Sequence, residues 1–489
     1  MTTRYRPTFI AVLLACVIPL HAHSVQLGEN GVGEVLVFPF FNANMGWDTY
    51  LDLTFYSGDT PQMVKIHVRD DINGDITNSF NLYQLYSHPS TRSASNWRAA
   101  ITRDSQGNPI LRVAEGPCTV SDDGIGGEAG SSFPLGASVG SIEVYAVSSR
   151  LIDDVSESAP SCDEIAERWE PQGIWQDDPD ADLVQIGSGY PFYGQKNLSG
   201  LATVINVDEG LSASYSPLAF VDFADQIPHS APSADFPNLA DANPIAISPE
   251  GTEFIPNSGE GIDAVAFLLA ASLGGSNTSH AGSGFYDGYA GQLTNQVIQS
   301  EAIGAITEWV LSYPLDGYKP YRPFEVSVEG EPRRCETLGT IGNTVDYTSP
   351  LIEEQAEAHE SVSIGFETAV NIVESWGGGR KFKFGSLDLA PLPPVDAKTA
   401  ICFAVNVLGF EEQDSILIKD DSPNLYRLRN SILANPESST LRWHIFDPEG
   451  PPEISRPVVG FRLTVFKNGT LNGGSTLANY AILQPHYSH

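Results

Sequence analysis

Short segments of alternating or continuous apolar residues recur along the chain, and each is bounded by Gly, Pro, Asn or Asp. Residues 50–56 show the alternation clearly, because Leu51, Leu53 and Phe55 are apolar and the residues between them are polar or amphipathic. A period of two predicts a half-buried antiparallel strand. The same reasoning predicts strands at residues 34–41, 50–56, 64–69, 80–86, 141–147, 202–207, 324–328, 400–407, 441–446 and 458–466.

Few segments show a helical period. Ser161 and Glu164 form a capping box that predicts a short helix ending near Trp169. Apolar spacing predicts a second helix within residues 295–307, and Ser422-Pro423 predicts the start of a third. The fold is therefore predicted to be mainly β, with two antiparallel β-sandwich-like domains, long loops and a few short helices.

Prolines at positions 314, 320 and 323 suggest a boundary between two domains. Residues 25–318 are predicted to form an N-terminal β-sandwich-like domain with long acidic loops at 115–135 and 225–262. Residues 319–489 are predicted to form a C-terminal β-rich domain.

Residues 1–24 are predicted to be a signal peptide. Arg4 and Arg6 precede an apolar run at residues 9–20, which is shorter than the roughly 20 residues needed to span a membrane. Ala22 and Ser24 occupy the −3 and −1 positions for cleavage after Ser24, which predicts a secreted, periplasmic or cell-surface protein. The alternative is a lipid anchor at Cys16, because residues 13–16 also match a lipobox.

Cleavage would leave four cysteines, at positions 118, 162, 335 and 402. In an oxidising compartment these predict two disulfides, with three ways of pairing them. We expect Cys118 to pair with Cys162, and Cys335 with Cys402, because each pair then stays within one half of the chain. Zinc is disfavoured, because no CxxC spacing accompanies these cysteines.

The charge excludes some partners. The 489 residues include 61 acidic and 26 basic side chains, giving a formal net charge of −35. Nucleic acid and anionic membranes both require a basic binding face, so neither is an expected partner. Apolar residues make up 41% of the chain, which is enough for a packed core and argues against a disordered acidic chain. No transmembrane span is predicted.

Several short motifs follow one another in an order that resembles a known family. They are Gly31-Val32-Gly33-Glu34-Val35-Leu36-Val37-Phe38-Pro39-Phe40-Phe41, Gly46-Trp47-Asp48-Thr49, Phe80-Asn81-Leu82-Tyr83, Gly140-Ser141-Ile142-Glu143-Val144, Ile205-Asn206-Val207-Asp208-Glu209-Gly210, Trp309, Cys335, Cys402 with Asn406, and Gly460-Phe461. The family consists of secreted, signal-peptide-bearing, β-rich proteobacterial proteins whose members are mostly uncharacterised. Leu53-Thr54-Phe55-Tyr56 departs from its pattern. The resemblance implies a secreted β-rich fold and supplies no catalytic residues.

Two acidic segments are weak candidates for a Ca²⁺ site. Asp71, Asn73 and Asp75 lie in a segment that begins like a calcium loop, but Ile76 and Leu82 stand where an EF-hand requires glycine and a bidentate acid. A hairpin turn rich in Asp and Asn explains this segment better. The second segment contains Asp177, Asp178, Asp180 and Asp182, and it also fits a solvated loop.

One segment matches a catalytic motif, but the predicted structure around it does not fit that motif. Gly136-Ala137-Ser138-Val139-Gly140 matches the G-x-S-x-G string of hydrolases, but a predicted strand follows where that motif requires a helix. Four aromatic residues could stack on sugar rings or could fill the core; they are Trp47, Trp97, Trp175 and Tyr190.

These patterns favour an exported, non-catalytic cell-surface or periplasmic protein for adhesion, surface assembly or ligand binding. Its partners would be a surface polymer, a glycan or protein subunits. The alternative is an extracellular hydrolase that acts on polysaccharide through carboxylates that no motif reveals.

Overall fold

The computed structural model of the chain describes part of its sequence. The described residues are 24–55, 62–84, 95–115, 118–121, 124–126, 131–147, 161–171, 173–177, 198–256, 259–272, 291–298, 304–318, 325–328, 331–334, 344–346, 361–363, 403–410, 414–428, 439–445, 457–467, 469–471, 476–477 and 479–486. The predicted signal peptide and the lipobox cysteine lie outside them, and Ser24 is the first described residue.

Strands dominate the described residues. Up to residue 254 the strands are β1 Val25–Leu27, β2 Val32–Gly33, β3 Val35–Asn42, β4 Trp47–Phe55, β5 Gln62–Asp70, β6 Ile76–Gln84, β7 Ser95–Arg103, β8 Pro109–Glu115, β9 Cys118–Ser121, β10 Gly124–Gly126, β11 Ser132–Pro134, β12 Val139–Val147, β13 Leu198–Asn206, β14 Leu211–Tyr215, β15 Leu218–Val221, β16 Ala246–Ile247 and β17 Glu253–Phe254. The later strands are β18 Gly291–Val297, β19 Ala305–Ser312, β20 Glu325–Val328, β21 Glu331–Arg334, β22 Thr344–Asp346, β23 Ser361–Ser363, β24 Val405–Phe410, β25 Leu425–Leu428, β26 Ser439–Ile445, β27 Val459–Phe466, β28 Thr470–Leu471, β29 Thr476–Leu477 and β30 Tyr480–Pro485. The helices are α1 Cys162–Glu167, α2 Ile174–Asp177 and α3 Gly261–Ser272, with 3-10 turns at Glu29–Gly31 and Leu239–Asp241.

Two large sheets form a β-sandwich. One has ten strands in the order β10-β9-β6-β5-β12-β3-β15-β1-β16-β17, and the other contains β11-β8-β7-β4-β13-β14 with β2 beside β13. Alternate residues of both sheets meet in one apolar core, as Leu51 and Leu53 of β4 and Ile66 and Val68 of β5 illustrate. The predicted mainly β, sandwich-like fold is confirmed, and every segment predicted as a strand overlaps an observed one.

A third sheet packs against the same core. Its five strands are β25-β24-β19-β27-β30, with β19 at the centre. Val310, Val407 and Phe461 of this sheet belong to the same apolar cluster as the sandwich, and the Phe461 ring lies 5.7 Å from that of Phe40. The five-stranded sheet therefore contains strands from both sides of residue 318, and the domain boundary at that residue stays a prediction.

Two of the three predicted helices are wrong. The segment predicted as a helix at residues 295–307 contains the end of β18 and the start of β19, and β25 lies where a helix was predicted after Ser422-Pro423. β19 is buried along almost its whole length, so its apolar residues show no clear period of two. The helix after Ser161 is confirmed, with both hydrogen bonds of its capping box.

The segments predicted as long loops are more ordered than expected. The 115–135 segment contains β9, β10 and β11. Much of the 225–262 segment covers the ten-stranded sheet, where Ile227 and Leu239 are buried in a second apolar cluster together with α3. The helix α3 was not predicted, because it is apolar on all sides and shows no amphipathic period. No helix among the described residues is long and apolar enough to cross a membrane.

A turn at residues 415–418 joins the sandwich to the third sheet. From the sandwich, Trp47 Nε1 donates to Ile416 O and Asn42 Nδ2 donates to Leu417 O, each at 2.6 Å. From β19, both carboxylate oxygens of Glu308 accept the N–H groups of Ile416 and Leu417 at 3.1 Å. All of these groups are buried, so the turn has one well-defined position between the sheets.

We expect Trp47→Phe to lower the free energy of unfolding by about 1–3 kcal/mol more than Trp97→Phe does. Both changes shrink a fully buried ring, but only the first leaves the Ile416 carbonyl without its short hydrogen bond; Trp97 makes a 3.3 Å bond to the Thr119 hydroxyl. Urea unfolding of the two variants measures the difference. Equal losses would contradict the importance of this bond.

Candidate functional site

The first calcium candidate is a hairpin turn. The segment with Asp71, Asn73 and Asp75 connects β5 to β6, as the sequence predicts. Asp70 Oδ1 accepts the N–H groups of residues 72, 73 and 74 at 3.0, 2.7 and 3.0 Å, and Gly74 has a positive φ of 72°. One carboxylate oxygen therefore organises the turn through the backbone.

Asp71 attaches this turn to the third sheet. Its backbone carbonyl accepts the N–H of Val405 at 3.0 Å, and its Oδ2 accepts a hydrogen bond from Asn424 Nδ2 at 2.9 Å. Burial is the largest influence on this carboxyl group and raises its pKa to about 6, with a further contribution from Asp70. The predicted calcium residue thus contacts protein groups that belong to another sheet.

The second calcium candidate lies mostly outside the described residues. Asp177 ends α2, while Asp178, Asp180 and Asp182 fall in a range that is not described. Within the described ranges, no group of three or more His, Cys, Asp or Glu side chains is arranged to hold a metal ion. Calcium at either segment stays a prediction.

Cys118 and Cys162 form a disulfide, as predicted. The Cα atoms are 5.3 Å apart, and the bond connects β9 at the side of the ten-stranded sheet to the first residue of α1. Cys335 and Cys402 lie outside the described residues, so the second predicted pair is not described.

Three of the aromatic candidates are core residues. Trp47, Trp97 and Trp175 are almost fully buried, and Tyr190 lies outside the described residues. Trp175 stacks on Tyr83 with ring centroids 5.9 Å apart, next to α1. These tryptophans cannot stack on a sugar in this conformation.

The Gly136-Ala137-Ser138-Val139-Gly140 string leads into β12, which confirms the glycine-rich strand entry.

A charged cluster lies beneath the cover of the ten-stranded sheet. Arg69 Nε is 2.7 Å from Glu143 Oε1, and both side chains are almost completely buried. The Tyr145 hydroxyl donates to Glu143 at 2.8 Å, and the Tyr318 hydroxyl donates to it at 3.0 Å. The Tyr318 hydroxyl also accepts hydrogen bonds from Arg69 Nη2 and from the N–H of Leu239. The cluster thereby connects β5 and β12 to the segments that contain Leu239 and Tyr318.

The pKa of Arg69 shows how firmly the cluster holds its charge. Burial is the largest single influence and lowers the pKa of the guanidinium, but Glu143, Tyr318 and Tyr145 together raise it above its ordinary value. Burial also raises the pKa of Tyr318 and of Tyr145, so both hydroxyls keep their protons and act as donors to the carboxylate. The arrangement stabilises an ion pair.

His67 lies beside this cluster as a neutral ring. Its Nε2 donates to Pro237 O at 2.9 Å, so its Nδ1 accepts from the Ser79 hydroxyl at 2.6 Å. Burial, followed by the positive charges of Lys65 and Arg69, lowers its pKa well below the ordinary value. The ring thereby connects β5 to the segment that covers the sheet.

The ten-stranded sheet is covered on its outer side, but the seven-stranded sheet, among the described residues, is not. Its face turned away from the core is open to solvent. We call it the outer face. Its described side chains include Asp48, Tyr50, Asp52, Thr54, Asn96, Arg98, Ala100, Arg112, Leu201, Thr203, Ser212 and Ser214. Tyr50 is 47% exposed and Leu201 is 44% exposed. The sequence predicts the strand that contains Tyr50, but the tyrosine is not among the candidate residues. Its place among the polar positions of the alternation predicts a solvent-facing side chain and could have identified it.

A scan against protein-family models, a search of curated proteins and a search of solved structures each found no match for this chain. The family resemblance of its motifs therefore stays a prediction. The outer face is the candidate binding surface, since the buried clusters have protein partners.

We expect Glu143→Gln to lower the free energy of unfolding by about 3–5 kcal/mol, because it leaves the buried Arg69 charge without its counter-charge. In the Glu143→Gln variant, Arg69→Met should lower the free energy of unfolding much less than it does in the wild type, because no uncompensated charge then remains. A double-mutant cycle measured by urea unfolding tests this. Additive losses would show that the two side chains do not interact.

The lowered pKa of His67 predicts that the folded protein loses stability in mild acid. Its folded pKa lies below that of the unfolded chain, so below about pH 6.5 the unfolded state takes up a proton that the folded state does not. Stability should fall by about 1.4 kcal/mol per pH unit through this group. His67→Gln, compared with wild type between neutral and mildly acidic pH, should remove that part of the slope.

Asp71 provides a control, because its pKa shift changes stability with pH in the opposite direction. Its pKa is raised to about 6 in the folded state, so it favours folding as the pH falls below 6. Asp71→Asn keeps an acceptor for Asn424 and should make the loss of stability in acid steeper. Unchanged slopes in both variants would contradict the assignment of these shifts.

Proposed function

We propose that the protein is an exported, non-catalytic protein of the cell surface or periplasm that works by binding a ligand or a surface polymer. The observation that carries this proposal is the outer face. It is a wide, regular surface on the β-sandwich, and it presents an exposed tyrosine among small hydroxyl side chains and one ion pair. Tyrosine and arginine are enriched in protein–protein interfaces relative to the rest of the surface, so side chains of these types are suited to binding.

The disulfide supports the exported part of this proposal. Disulfides such as Cys118–Cys162 persist in oxidising compartments and are rare in the cytosol. The predicted signal peptide agrees with such a location. The strongly acidic composition also suits an exposed protein, because a high net charge keeps it soluble outside the cell.

Two buried ionisable groups among the described residues support the non-catalytic part. A catalytic acid or base needs to reach the proton that it transfers. Glu143 is enclosed by Arg69, Tyr145 and Tyr318, and His67 uses both ring nitrogens in bonds to the protein. These side chains, which have the residue types of an active site, serve to connect strands.

The proposal is tested by the intact, non-reduced mass of the protein in subcellular fractions of its native host. We expect a chain that starts at Val25, lacks two hydrogens for each disulfide and occurs in the periplasm, the medium or the cell surface. A start at acylated Cys16 would replace cleavage after Ser24 with a lipid anchor. A full-length, reduced chain in the cytoplasm would overturn the proposal.

A further inference from the structure

A straight row of side chains crosses the outer face. In the register of the sheet, Arg112 of β8 lies opposite Ala100 of β7, which lies opposite Tyr50 of β4. Tyr50 lies opposite Thr203 of β13, and Thr203 lies opposite Ser214 of β14. At about 4.8 Å between neighbouring strands, five strands give this row a length of roughly 19 Å. An extended ligand could therefore contact the row along its whole length.

Tyr50 is the only large side chain in the middle of this row. Its neighbours Ala100 and Thr203 are small, which is why almost half of the tyrosine surface remains exposed. The Thr203 hydroxyl lies 2.7 Å from that of Ser214, so the two form a hydroxyl pair beside the ring. An aromatic ring next to paired hydroxyls offers an apolar surface and hydrogen-bonding groups side by side.

The next row on the same face adds polar and apolar contacts. Arg98 Nε donates to Asp52 Oδ2 at 3.0 Å, with both side chains well exposed. Leu201 lies opposite Asp52 and diagonal to Tyr50, so its exposed side chain extends the apolar surface around the ring. The exposed pair contributes little to stability but presents donors and acceptors to a ligand.

The charge of this face differs from that of the chain. Among its described side chains, Arg98 and Arg112 balance Asp48 and Asp52, whereas the whole sequence has more than two acidic residues for each basic one. An acidic polymer would be repelled by the net charge of −35, and a basic one would find stronger attraction elsewhere on the surface. A balanced face within an acidic protein is complementary to an uncharged ligand.

We propose that the outer face binds a neutral polysaccharide chain, with Tyr50 stacking on a sugar ring and with the Thr203–Ser214 pair and the Arg98–Asp52 pair bonding to its hydroxyls. A pyranose ring has one apolar face and a rim of hydroxyls, which matches this combination of groups. The inference rests on the proposed binding function and names its site and its ligand class.

Affinity electrophoresis in native gels provides the test. The acidic protein migrates towards the anode, and gels containing hydroxyethylcellulose, laminarin, glycogen, galactomannan or xylan report binding as retardation. A gel containing alginate, an acidic polysaccharide, is the contrast. We expect retardation by at least one neutral polysaccharide and none by alginate.

Tyr50→Ala should weaken that binding by about tenfold or more, because it removes a central aromatic anchor. The matched control is Tyr480→Ala, which removes a tyrosine that is 53% exposed on β30, outside the outer face, and should leave the affinity unchanged. Tyr50→Phe keeps the ring and should retain most of the affinity. Circular dichroism and the midpoint of urea unfolding establish that each variant is folded.

The outcomes separate this inference from the proposed function. Retardation that survives Tyr50→Ala would overturn the site and leave the binding function intact. Retardation in none of the neutral gels would overturn the ligand class, while the mass and fractionation experiment decides the exported location independently. Self-association in sedimentation velocity that Tyr50→Ala abolishes would assign the face to a second copy of this chain, and would also overturn the inference.

Discussion

The ion pair of Arg69 and Glu143 is the contact on which the remaining structure depends most, because neither charge has access to water. A buried charge without its partner is strongly destabilising, so breaking this pair would weaken the junction of β5 and β12. Completion requires Tyr318, which follows the central strand of the third sheet and donates to Glu143. Enclosing one pair of charges thereby couples the ten-stranded sheet to a sheet formed largely by the end of the chain.

The other junctions between the sheets follow the same principle, since each uses buried directional bonds together with apolar contact. The Asp71 carbonyl accepts the N–H of Val405, and the Trp47 indole donates to the Ile416 carbonyl. Apolar surfaces such as those of Phe40 and Phe461 supply attraction but tolerate small displacements. Hydrogen bonds between buried groups tolerate much less, because a misplaced donor leaves its acceptor unsatisfied. The apolar core holds the three sheets together, and the polar bonds determine their relative position.

The strands could be predicted from the sequence wherever one face of the sheet is exposed to solvent, as the alternation around Leu51 and Leu53 shows. Complete burial did not prevent the prediction of β3, because its continuous β-branched and aromatic residues indicate a strand without any alternation. The helix α3 was missed because it is apolar on all sides and shows no amphipathic period. The helical spacing of apolar residues within 295–307 was misleading, because that segment contains the end of β18 and the start of β19. The disulfide of Cys118 and Cys162 could be predicted because a pairing within one half of the chain is a simple choice, whereas the ion pair could not, since nothing in the sequence brings residues 69, 143 and 318 together.

Residue type was a poor guide to the candidate site for a related physical reason. Tryptophan is the side chain best suited to stack on a sugar, but it is also the largest apolar side chain available to fill a core, and Trp97 and Trp175 do so. Lys65, His67 and Arg69 alternate along β5 as if facing water, yet the segment that follows β15 covers them. Position in the alternation is more informative than type when no element covers the polar face. Tyr50 meets this condition, so the same register that buries Leu51 keeps the tyrosine exposed, and a ligand can bind there without any change to the interior.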